Sequence, residues 1–101
     1  MKYQLILQWP SYSIDCDSII SIEESLIENL SNNNDVDGHD IGAGEANIFI
    51  LTNDPEGVFA EIRALLENDV YWPDIRAAYR DFAGAEDCVL WPKGYKNFKI
   101  G

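Results

Sequence analysis

Residues 35–47, DVDGHDIGAGEAN, gather three aspartates, one glutamate, the only histidine of the chain and three glycines into thirteen positions. Carboxylates bind divalent cations through their negative oxygens, and an imidazole beside them can move protons near neutral pH because it titrates close to that range. A calcium loop is the first pattern to test. Asn33, Asp35, Asp37 and Gly38 follow the first half of the DxDxDG signature. The bidentate carboxylate that calcium needs at loop position twelve would fall on Gly44, with Glu45 one residue late. The pattern therefore fails at its principal ligand.

A looser site remains. In a regular strand, Asp35, Asp37 and His39 alternate onto one face and Asp40 onto the other. Asp37, His39 and Asp40 would then be the ligands of a metal- or metabolite-sensing module. An enzyme built here would use His39 as general base, oriented by Asp37 or Glu45. The plainer expectation is an acidic hairpin rim, on which Asp35, Asp37, Asp40 and Glu45 meet a partner of opposite charge and catalyse nothing. No GxSxG motif is present, Gly42 and Gly44 lack the third glycine of a dinucleotide fingerprint, and Cys16 and Cys88 match no zinc or CxxC spacing. No cofactor is implied. The two cysteines read as reduced, partly buried thiols.

Eighteen acids against seven Lys and Arg leave a net charge of −11 in 101 residues, beyond the roughly 2–8 units common for a small domain. Such a surface disfavours nucleic acid and anionic membranes, which both bind through cationic surface. It favours a basic protein, met by long-range steering and then by apolar or aromatic anchors inside an acidic rim. Trp91, next to Pro92, is the candidate anchor. Trp9 and Trp72 also precede prolines, and all three rings serve equally to close the ends of a small core. The charge is uneven: residues 1–92 carry −14 and the tail, 93–101, carries +3. No apolar run approaches the ~20 residues of a membrane helix, and the N-terminus lacks a cleavage signal, so a cytoplasmic protein is expected.

The elements that position these groups follow from periodicity. Tyr3, Leu5, Leu7 and Trp9 alternate with polar residues over 2–9, the period of a strand, and the one exception, Ile6, implies that both faces are at least partly covered. Ile19, Ile22, Leu26 and Leu30 recur at helical spacing over 14–30, with Ser13 as the expected cap. Strands are expected at 36–41 and 46–52, joined through GAG as a hairpin. Asp54-Pro55-Glu56 opens a second helix that runs to about residue 68. Residues 74–82 admit either strand or short helix, and CVLWP reads as a further short strand.

The order strand, helix, strand, strand, helix, strand over residues 2–82 resembles the ferredoxin-like α+β sandwich, including its ACT-like relatives. That resemblance implies a single domain, 1–92, with two helices on one face of an antiparallel sheet, and a homodimer through a sheet edge as one mode of assembly. In size and charge the chain is also similar to the small acidic immunity proteins that neutralise nuclease toxins, which implies a non-enzymatic, partner-binding role.

Overall fold

The computed structural model describes residues 2–84 and 87–94. Five strands and two helices of more than one turn form an α+β architecture. In chain order they are β1 (Tyr3–Pro10), α1 (Cys16–Asn29), β2 (Asp35–Gly42), β3 (Glu45–Thr52), α2 (Pro55–Leu66), β4 (Arg76–Asp81) and β5 (Cys88–Trp91). The strands make one antiparallel sheet in the order β2-β3-β1-β4-β5. The resemblance over residues 2–82 implied a four-stranded sheet, and CVLWP read as a further short strand. Here β5 extends it beyond β4, and residues 76–81 resolve as strand because they pair with β1 from Tyr3↔Asp81 to Gln8↔Arg76.

Alternation along β1 determines the two faces. Leu5, Leu7 and Trp9 point to the side on which both helices lie, and they are buried with Ile48 and Ile50 of β3 and Ala77 of β4. Against them pack Ile19, Ile22 and Leu26 of α1 and Val58, Phe59, Ile62 and Leu66 of α2. Each such side chain removed from water contributes roughly 1.5–3 kcal/mol. Ile6, the residue that breaks the polar alternation, is buried on the opposite face with Ala78, and Phe49 and Val89 pack beside them. Both faces of the central strand are thus covered, as the sequence pattern implied. The polar pair on that face, Gln8 and Asn47, is also buried, with Gln8 Nε2 donating to Asn47 Oδ1 at 3.1 Å.

The helix starts differ from one another. Asp54 caps α2 as expected, accepting from the Gly57 N–H at 3.0 Å. At α1 the cap is Asp15 and not Ser13: Asp15 Oδ1 accepts from the Ser18 N–H at 3.2 Å, while the Ser13 hydroxyl donates to the Pro10 carbonyl at 2.8 Å. Residues 11–13 form a 3-10 turn, which moves the start of α1 along the chain. The hairpin expected at GAG is present as a two-residue turn closed by the Gly42↔Glu45 pair, with Ala43 at φ 52° and Gly44 at φ 82°. Positive φ at both central residues gives the turn the hand of the strands it joins. Both cysteines are free, as expected, but exposed where partial burial was expected, because Cys16 lies in the first turn of α1 and Cys88 opens the short β5. Among the described residues, no helix is long and apolar enough to cross a membrane.

Candidate functional site

β2 lies at one edge of the sheet and, among the described residues, pairs only with β3. Its register is interrupted once. Val36 faces Ile50 and Gly38 faces Phe49, so that Asp37 is an extra residue, a β-bulge, and Gly38 adopts φ 129°. A bulge reverses the alternation beyond it. Asp35, opposite Leu51, and Asp40, opposite Asn47, therefore share the face away from the helices, whereas His39, opposite Ile48, lies on the helix side. The expected grouping of Asp35, Asp37 and His39 on one face, apart from Asp40, is thus corrected: without the bulge it would hold, and one inserted residue separates histidine from aspartates.

His39 instead meets a residue from another element. Its Nδ1 lies 3.2 Å from both carboxylate oxygens of Glu23 on α1. An ionised carboxylate can only accept, so Nδ1–H donates and the hydrogen is assigned to that nitrogen. Neither Asp37 nor Glu45 orients the ring. No group of three or more His, Cys, Asp or Glu among the described residues is arranged to hold a metal ion. Nothing in the sequence signalled Glu23, since sixteen residues separate it from His39 and only the packing of α1 against β2 joins them.

Below this pair, where α1 ends and β2 begins, is a groove of about 260 Å³ lined by Leu26, Ile27, Leu30 and Val36 together with Ser31, Asn32, Asn34 and Asp35. Ile27 is 60% exposed beside it. The groove's polar wall is held by a chain of hydrogen bonds. Glu61 of α2 accepts from the Ser31 N–H and hydroxyl, both at 2.9 Å, and Asn34 Nδ2 donates to the Ser31 hydroxyl at 2.9 Å. Asn34 Oδ1 accepts from the buried Thr52 hydroxyl at 2.6 Å, and Thr52 Oγ1 in turn accepts from the Asp54 N–H at 3.0 Å. The turn-forming SNNND stretch was legible in the sequence; its anchorage to α2 and β3 was not.

The remaining candidates separate in space. Asp35, Asp37 and Asp40 are exposed on β2, and Glu45 is half-buried at the start of β3. Trp91 is at the opposite edge, on β5, roughly 19 Å away at four inter-strand spacings. There it packs against Trp72 (5.5 Å between centroids) and Phe59 (6.3 Å), with the Arg63 guanidinium over its ring at 4.6 Å. Its surroundings are those of an aromatic seal between α2 and β5. On β4, the strand paired with β5, the Tyr79 phenol is pushed above its usual range, first by its hydrogen bond with the Cys88 thiol and then by burial.

Charge follows the same division. From Tyr3 to Ile62 the chain carries twelve acids and not one Lys or Arg. That stretch contains β1, α1, β2, β3 and most of α2. Arg76 and Arg80 are on β4, where Arg80 pairs with Asp87 at 2.9 Å, and Lys93 follows β5. Among the described residues, α1, β2 and β3 thus carry carboxylates and no Lys or Arg. No family model matches the chain, and no curated protein or solved structure matches it significantly.

Proposed function

We propose that this protein is a non-enzymatic binding module of the cytoplasm that engages a basic partner protein through the anionic side formed by α1, β2 and β3. Its architecture is read as a ferredoxin-like βαββαβ core with β5 added beside β4. The observation that supports the binding role is the run of twelve acids without a Lys or Arg over residues 3–62, which supplies all of α1, β2 and β3. A surface of one sign raises the encounter rate with an oppositely charged protein and repels polyanions. Two free, exposed thiols suit a reducing compartment.

The edge of β2 is an unfavourable surface for self-association. Two copies paired there would bring Asp35, Asp37 and Asp40 of one chain against the same residues of the other, and like charge along an edge opposes such pairing.

The test is capture of partners on the immobilised chain from a lysate of its source, at low and high salt, with mass spectrometry of what is retained. The captured protein should be basic, and its association rate should fall by about tenfold or more as salt rises. A partner that is acidic, or whose association is indifferent to salt, would sink the proposal.

A further inference from the structure

The reading above states that a cationic protein binds; the geometry of β2 carries a statement of how. Its eight residues, Asp35–Gly42, form a strand edge whose outer backbone groups have no strand beside them among the described residues. The bulge divides its side chains between the two faces, with His39, paired to Glu23, on the helix side. Asp35 and Asp40 lie on the face away from the helices, while Val36 and the 42%-exposed Ile41, opposite Ala46, lie on the helix side. Next to Val36 opens the groove between Ile27, Leu26 and Leu30. A strand added to this edge would therefore meet carboxylates on one face and, on the other, a groove with an apolar wall of Ile27, Leu30 and Val36 and a polar wall of Ser31, Asn32 and Asn34.

We infer that β2 is the docking edge for an extended segment of the partner in which Lys or Arg alternates with apolar residues. The segment extends the sheet by backbone hydrogen bonds, sets its cations beside Asp35 and Asp40, and inserts an aliphatic side chain between Ile27, Leu30 and Val36. Affinity in such strand addition comes from the main chain and specificity from alternate side chains. The acids that oppose a second copy of β2 are the same groups that select a cationic strand. This inference rests on the proposed function, and its test separates the two.

The probe is a capped peptide of alternating Lys and Val, used with the full chain and compared with a copy N-methylated at alternate residues along one edge. N-methylation removes the donors needed for strand pairing and keeps charge and side chains. In amide-resolved NMR at low salt, the unmodified peptide should shift residues 35–42 together with Ile27 and Leu30, and should bind at least about tenfold more tightly than the methylated copy. Asp35→Lys with Asp40→Lys, both exposed, should abolish that binding and leave the spectrum of the core unchanged. Equal binding of both peptides, or shifts outside β2, would overturn strand addition and leave the anionic surface standing. Failure of both peptides to bind would remove both readings. Concentration-dependent shifts at residues 35–42 in the protein alone would assign the edge to a second copy and equally overturn the inference.

Discussion

His39 on the edge strand donates from Nδ1 to the carboxylate of Glu23 on α1, at 3.2 Å to each oxygen. The contact ties the outermost strand to the helix layer at a place where β2 is otherwise exposed. The side chains retain 33% and 15% of their accessibility, so screening by water keeps the interaction modest. His39→Ala and Glu23→Gln should each lower stability by about 0.5–1 kcal/mol, and the double variant should cost less than their sum. Denaturant titrations of the four proteins measure this; additive losses would show that the two side chains act independently.

Thr52 joins two loops through one hydroxyl, donating to Asn34 Oδ1 and accepting from the Asp54 N–H while wholly buried. Thr52→Val keeps the shape and removes both bonds, leaving the half-buried Asn34 carbonyl oxygen and the Asp54 N–H without their partner. The expected loss is about 1–3 kcal/mol, with faster amide exchange at Asp54 and in the 31–34 loop. Thr52→Ser, which keeps the hydroxyl, should restore the protection of these amides.

Ala43 sits at φ 52° in the β2–β3 turn, a conformation in which Cβ crowds the following carbonyl. Asn and Gly adopt it more readily. Ala43→Asn, which makes the turn Asn-Gly, should stabilise the fold by about 0.5–1 kcal/mol. A drop in melting temperature for this variant would contradict the turn geometry.

Asp15 provides the pH-dependent prediction. The Ser18 hydroxyl, opposed by burial and helped further by the Ser18 N–H, favours its ionised form and holds its carboxyl below the ordinary aspartate range. A depressed folded-state pKa means that the cap's stabilisation is present above the unfolded value and is lost as pH falls through the folded one. Carboxyl-detected NMR titration should give Asp15 a midpoint below its unfolded value, and Ser18→Gly should raise it. A midpoint at the unfolded value in the intact protein would show that the cap does not hold in solution.

The periodic parts of the fold were legible because periodicity is local. Tyr3, Leu5, Leu7 and Trp9 mark a strand two residues at a time, and Asp54-Pro55-Glu56 starts a helix by capping and dipole chemistry confined to one turn. Glycines at 42 and 44 were enough for the hairpin. Residues 76–81 were not legible, since IRAAYRDF satisfies either period; pairing with β1 decided the matter, with Ala77 and Ala78 buried on opposite faces. Asp15 displaced Ser13 as the cap because a 3-10 turn, held by the Ser13 hydroxyl on Pro10, precedes the helix.

The amino-acid sequence alone determined the anionic character of the molecule, the two amphipathic helices and the presence of a hairpin carrying most of its chemistry-bearing residues, all properties that depend on composition or on neighbours along the chain. Tertiary structure decided which of those residues meet. One bulged residue, Asp37, turned His39 toward α1 and Asp40 away from it, and the sheet order moved Trp91 to the far edge from the acids. Faces and edges are set by register and strand order, which arise from hydrogen bonding between distant segments and leave no mark in local spacing.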